Sequence, residues 1–247
     1  MPNLNYPLII LIIGLVYLAA KRADIVARIA HFHYARGNTQ KSINTFAFAN
    51  KFGNMNANNK IVYGYLLLRV GEINTAAKVL NLVILQAKKP PVANRAKAML
   101  ALTTWKRGDL DDAIESLESL IESYRTTNVY QNLGLMYVLK GEPKRALEFN
   151  LEAAEFNDSD KIILDNLAEA YLLNGEREKA KEVYEKLFTL SPHFPEAFFG
   201  YGKLLVELGE TERGVELIRE ALDKPFTFLS VLTREKVERY LEWAEGQ

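Results

Sequence analysis

The sequence predicts an all-α protein: a solenoid of about six helix-pair repeats with a C-terminal capping helix, preceded by one transmembrane helix. Three observations predict it. Glycine recurs with a period near 34 residues, small residues stand at fixed offsets from those glycines, and the chain opens on an uncharged apolar run.

Gly37, Gly71, Gly108, Gly141, Gly175 and Gly209 are separated by 34, 37, 33, 34 and 34 residues, the spacing of a helical repeat. Seven residues before each glycine the side chain is small: Ala30, Gly64, Ala101, Gly134, Ala168 and Gly202. One residue earlier it is large and apolar, and five residues after each glycine it is small again: Ser42, Ala76, Ala113, Ala146, Ala180 and Gly214. Two antiparallel helices joined by a glycine turn satisfy all three regularities, with the small residues where the helix axes come closest.

Two stretches carry the pattern most fully, NLGLMYVLKGEPKRALEFNLEAAEFNDSD and NLAEAYLLNGEREKAKEVYEKLFTLSP. In the second, Leu167, Ala168, Tyr171, Ala180, Tyr184 and Pro192 fall on the Leu-Gly, Tyr, Ala, aromatic and Pro positions of the tetratricopeptide repeat. The chain therefore resembles that family from about residue 23 to 224, less closely in the first unit, where His33 replaces the Tyr and Ser42 the Ala. The resemblance implies a right-handed superhelix whose concave groove is lined by the first helix of each pair. It places in the groove Asn58, Tyr65 and Arg69; Arg95, Leu102 and Lys106; Asn128, Asn132 and Leu135; Asn166 and Glu169; and Lys203. Asn132 and Asn166 match the position at which such repeats hold a peptide backbone or a terminal carboxylate.

The departures from period divide the chain further. Three extra residues between the second and third units coincide with KKPP, residues 88–91, where proline stops a helix. Expected are two degenerate basic repeats over 23–90, four repeats over 91–228, and a capping helix within 229–247. In REKVERYLEWAE the last of these has Val237, Tyr240, Leu241 and Ala244 on one face.

The opening run predicts a transmembrane anchor over 4–22. Residues 6–20 carry no charge, and Leu4 extends the run to seventeen residues with Asn5 the polar exception. That is roughly 25 Å of helix, at the short end for crossing hydrocarbon. No basic region precedes the run, as a cleaved signal would need, whereas Lys21, Arg22, Arg28 and Arg36 follow it. Positive charge on that flank holds it on the cytoplasmic side, so the expectation is a single-pass protein of the cell membrane with its repeats in the cytoplasm.

Net charge is zero, but up to Gly108 there are 15 Lys and Arg against Asp24 and Glu72, and from Asp109 onward 16 against 29 Asp and Glu. A basic half beside an anchor suits the anionic lipid of a cytoplasmic leaflet, with Lys21, Arg22, Arg28 and Arg36 facing lipid. The alternative is nucleic-acid binding, which requires basic residues on one continuous face with aromatics interleaved; here they are scattered over both helices of each pair.

Zero cysteines exclude disulfides, thiolate metal sites and a cysteine nucleophile. His31 and His33 are two apart and point to different faces of a helix, and His193 stands alone, so no metal is expected. No phosphate loop, nucleophile elbow or HExxH is present, and the expectation is a protein without cofactor and without enzymatic activity. Its expected role is that of a membrane-tethered scaffold or adaptor that binds a protein or peptide partner at the cytoplasmic face. In plan it resembles bacterial membrane-anchored repeat proteins of the lipopolysaccharide assembly protein B family, which assist envelope-complex assembly or regulated proteolysis. Those carry a C-terminal rubredoxin-like module with paired cysteines, which this chain lacks.

Overall fold

A computed structural model describes residues 6–246 of the chain. Among them thirteen α-helices follow one another and no strand occurs: α1 (Tyr6–Ala35), α2 (Thr39–Asn50), α3 (Ala57–Arg69), α4 (Ile73–Gln86), α5 (Pro90–Lys106), α6 (Leu110–Ser123), α7 (Thr127–Lys140), α8 (Pro143–Phe156), α9 (Lys161–Leu173), α10 (Arg177–Thr189), α11 (Pro195–Glu207), α12 (Thr211–Ala221) and α13 (Arg234–Glu245). This is the solenoid of helix pairs that the periodicity predicts. The chain forms two compact units, residues 1–100 and 101–247, which divide within α5.

Each of the six periodic glycines ends the first helix of a pair with positive φ, between 74° and 106°, a conformation that a side chain penalises. The turn is a Schellman closure: the N–H groups of Glu72, Glu176 and Glu210 reach back to the carbonyls of Leu67, Tyr171 and Leu205, each at 2.9 Å. Helix starts have local causes as well. The Asp160 carboxylate accepts from the N–H of Ile162 and Ile163 at the head of α9, Thr233 caps α13, and Pro143 and Pro195 stand where a missing N–H costs nothing.

The periodic small residues lie where paired helices meet. Ala30, Ala101, Ala168, Ser42, Ala76, Ala113, Ala146 and Ala180 are all buried, and the Ser42 hydroxyl donates across the first pair to the Ala30 carbonyl at 2.8 Å. The tightest approach joins α11 to α12. A Cβ on Gly202 would stand 2.7 Å from the Gly214 carbonyl oxygen, and one on Gly214 would stand 2.6 Å from that of Gly202. At each position a side-chain atom, of Ile218 or Val206, stands as close, but the carbonyl oxygens are backbone and cannot swing aside.

In unit 1 the opening run is the first half of α1, continuous with the segment that packs on α2. Every residue from 6 to 22 is exposed, whereas Ala23, Ala27 and Ala30 are buried. No helix among the described residues is long and apolar enough to cross a membrane, so the spanning helix expected over 4–22 is not found. Lys21 and Arg22 limit the uncharged part of α1 to residues 6–20, about 22 Å against a hydrocarbon core of about 30 Å. Leu4 and Asn5 lie outside the described residues.

In unit 2, α9 packs on both α7 and α11. Leu164, Ala168, Ala180, Tyr184, Leu187 and Tyr201 share one core, in which the rings of Tyr184 and Tyr201 stack at 5.3 Å. Phe198, Phe199, Ile218, Ala221, Leu232 and Val237 form another, against which Tyr240 and Leu241 of α13 also pack. The last helix thus covers the apolar face that the sixth pair would otherwise expose.

Gly214→Ala should lower unit 2 stability by on the order of 1–3 kcal/mol, since the added methyl meets the Gly202 carbonyl and the Val206 N–H, which cannot move aside, as well as the Val206 side chain. The measurement is the urea midpoint followed by helical ellipticity; an unchanged midpoint would contradict backbone contact between α11 and α12.

Candidate functional site

In unit 1 the residues assigned to the groove come together as two small groups. The Arg95 guanidinium donates to Asn58 Oδ1 at 3.0 Å. Arg69 donates to the Tyr34 hydroxyl at 2.6 Å, and its guanidinium carbon lies 5.9 Å from the ring centroids of both Tyr34 and Tyr65. Burial pushes the Tyr65 hydroxyl up in pKa, and the Arg69 charge opposes that rise. Tyr34 was not anticipated, because it is four residues past the small position at which the first unit is read. Asp24 is the third polar node: it accepts from the Asn56 N–H at 2.9 Å and from the side-chain amides of Asn56 at 2.8 Å and Asn59 at 3.0 Å. Asn59 in turn contacts His31 at 2.9 Å. Among the described residues no cluster of His, Asp and Glu is disposed to hold a metal.

The basic residues flanking the apolar run are all exposed. Lys21 and Arg28, seven apart, share one side of α1; Arg22 lies over the Phe52 ring at 4.8 Å, and Arg36, in the turn after the helix, over Phe32 at 4.2 Å.

In unit 2 the assigned residues divide by burial. Asn128 and Lys203 are exposed, with Lys203 Nζ 3.7 Å from Glu207. Asn132 and Leu135 are half-buried, and Leu102 is buried. Asn166 is buried and its side-chain amide donates to the Gln131 carbonyl at 2.9 Å; it ties α9 to α7, so its nitrogen already holds a backbone group of this chain. Glu169 is half-buried and accepts from the Tyr184 hydroxyl at 2.7 Å. Gly200 on α11 makes room for both: a Cβ there would stand 2.6 Å from Glu169 Oε1 and closer still to the Tyr184 hydroxyl.

Lys106, at the end of α5, reaches furthest in sequence. Its ammonium donates to the Ser230 carbonyl at 3.0 Å, 124 residues away, and lies 4.0 Å from the Trp105 ring centroid and 5.3 Å from that of Phe228. The adjoining Val231 N–H donates to Glu196 Oε1 on α11 at 3.1 Å. Burial pulls the Lys106 ammonium below the usual lysine range, and the Glu196 charge works against that pull. Sequence reasoning placed Lys106 on this face but missed Glu196 and the loop after α12. The available signal was the loop itself: FTFLSVL is far more apolar than a surface connection requires.

Asp165 was missed too. It lies one helical turn before Glu169 on α9, as Glu196 lies one turn before Gly200 on α11, so two neighbouring helices present carboxylates at one level. Asp165 is buried, and its Oδ1 has no hydrogen-bond partner within the protein. Burial pushes its carboxyl well above the usual carboxylate range, and the negative charges of Glu169 and Glu196 add to the rise. An unfolded aspartate titrates near about 3.9. Between that value and the higher folded one the native state holds the extra proton, so this residue makes stability fall as pH rises through the window. Asp165→Asn should therefore melt higher than the wild type at about pH 8 and lose that advantage as pH falls toward about 4. Thermal midpoints across that range check it, and a variant that melts lower at every pH would refute it.

Comparison with known proteins places the fold. Models of the tetratricopeptide repeat match residues 64–128, 98–161 and 163–194, together more than half of the chain. The TPR repeat-containing protein YvcD of Bacillus subtilis (strain 168) is 28% identical over 127 residues, 51% of this chain and 25% of that protein. Cellulose synthase operon protein C of Pseudomonas fluorescens (strain SBW25) is 23% identical over 180 residues, 68% of this chain and 14% of its own length. The chain thus spans a quarter or less of these relatives. The crystal structure of a tetratricopeptide repeat protein from Parabacteroides merdae ATCC 43184 superposes with a TM-score of 0.71 at 15% identity, covering 91% of this chain and 85% of that one. With the family match and the observed helix pairs in agreement, the chain belongs to the tetratricopeptide repeat family.

Proposed function

We propose that this protein is a non-enzymatic scaffold, tethered to a membrane through the apolar half of α1, that holds a segment of a partner protein on the face formed by the first helices of its repeats. The observation that carries the tether is the exposure of every residue from 6 to 22 on a helix that is apolar all round through residue 20. Such a surface is costly in water and matches hydrocarbon. At about 22 Å the apolar half is short for a bilayer, and the mismatch is met by local thinning and by Lys21 and Arg22 extending toward headgroups. The same charges, with Arg28 and Arg36, favour the cytoplasmic side, where anionic lipid attracts them. A fold of stacked helix pairs suits protein binding, and a partner held there sits beside the membrane for assembly or regulation of a complex.

The paired substitution Leu11→Arg and Val16→Arg tests the tether. Both side chains are exposed, so helix content should stay unchanged, while each charge within the hydrocarbon costs about 2.5–3.5 kcal/mol. Retention on vesicles containing anionic lipid should fall at least tenfold by flotation, and equal retention would sink the anchor. Sidedness is read separately. The chain has no cysteine of its own, so a single Lys186→Cys on exposed α10 should resist a membrane-impermeant thiol reagent in intact cells; ready labelling would place the repeats outside.

A further inference from the structure

The two hydrogen bonds from the loop between α12 and α13 involve one peptide unit. The carbonyl of Ser230 and the N–H of Val231 are the two ends of the same amide, and they are taken by groups of opposite charge on two different first helices: Lys106 on α5 and Glu196 on α11. Both side chains are half-buried. Each bond is charge-assisted and reads only main chain.

The loop itself is lightly held. Phe228 and Val231 remain 41% and 37% exposed, although both are apolar, whereas Phe226 and Leu232 on either side pack with the core under α13. Its ends are anchored by Phe226 and Leu232 and by Arg234, which donates to the Leu222 carbonyl at 2.7 Å. Between those anchors a turn, closed by the Ser230 N–H on the Thr227 carbonyl at 3.0 Å, presents the amide.

We propose that Lys106 and Glu196 form a clamp for one main-chain amide of an extended, apolar peptide segment, and that residues 227–231 are its internal occupant, displaced when a partner segment binds. This rests on the reading of the first-helix face as a docking surface, and it specifies what that face recognises there. The ligand class follows from the site. A carbonyl acceptor and an N–H donor on one amide satisfy the two charges, and the ring of Trp105 beside the ammonium favours an aromatic or apolar side chain two residues before the clamped amide, as Phe228 is now. A free carboxylate terminus would satisfy Lys106 but repel Glu196, so an internal segment is preferred to a C-terminus.

The test uses the full chain in detergent and, as probe, a synthetic peptide of residues 223–233. Val231→Pro removes the donated N–H, and Phe228→Ala removes the ring beside the Lys106 ammonium without changing the loop's backbone; both leave Lys106 and Glu196 themselves unchanged. Both variants should bind the peptide at least about tenfold more tightly than the wild type, because the competing occupant is weakened. Adding Glu196→Gln to either should abolish the gain. In the wild type, saturating peptide should raise amide hydrogen exchange in 227–231 while α9 and α11 stay protected. Three results overturn the proposal: no binding by any variant, equal binding by wild type and both loop variants, or tight binding that ignores Glu196→Gln. Any of these would leave a closed structural loop in place of a displaceable one, and would leave the scaffold reading to its own vesicle test.

Discussion

Everything in this chain depends on how closely the two helices of a pair can approach. When a paired interface carries glycine on both sides, as Gly202 and Gly214 do, backbone meets backbone. Where alanine or serine stands instead, on one helix or on both, the axes are set by small side chains, buried in every case. That distance determines where the larger side chains fall: with the pair closed, Tyr184 and Tyr201 stack across to the neighbouring pair and fill the space between. The glycine turns serve the same end, because a left-handed residue reverses the chain within a few positions and leaves no slack between the helices. Loosening the pair would therefore shift every contact built on it.

The same constraint explains what could be read from the sequence. A requirement that recurs every 34 residues leaves a periodic trace, so the helix pairs, their turns and their small contact positions were legible from glycine and alanine alone. Placement on the first helices was legible too, and Tyr65 with Arg69, and Asn58 with Arg95, prove to be neighbours. What each such side chain touches was not. Asn166 follows the family pattern but spends its amide on the Gln131 carbonyl, and Asp165, with no pattern to mark it, is the buried carboxyl between Glu169 and Glu196. A position on a face is set by helical period, whereas a hydrogen-bond partner depends on the side chains of the adjacent repeats, which vary from unit to unit.

The opening run shows a different limit. Its length, its lack of charge and its basic flank describe how it would behave in a bilayer, and the structure describes how it continues into the protein. Because α1 runs unbroken from the exposed apolar half to the buried Ala23, Ala27 and Ala30, an orientation imposed on the first half is passed to the pair that α1 makes with α2. A flexible linker would have averaged that orientation away. Whatever surface receives residues 6–20 therefore also aims the first repeat.

A solenoid is quasi-one-dimensional, since each repeat touches its neighbours and distant repeats are coupled only through those between. The loop after α12 departs from that rule. Through Ser230 and Val231 it joins the end of α5 to the head of α11, residues that are 90 positions apart in sequence. Closing such a contact adds a constraint that nearest-neighbour packing does not supply. The contact also has no periodic counterpart, because a single loop makes it once. That is why it left no trace in the repeat pattern.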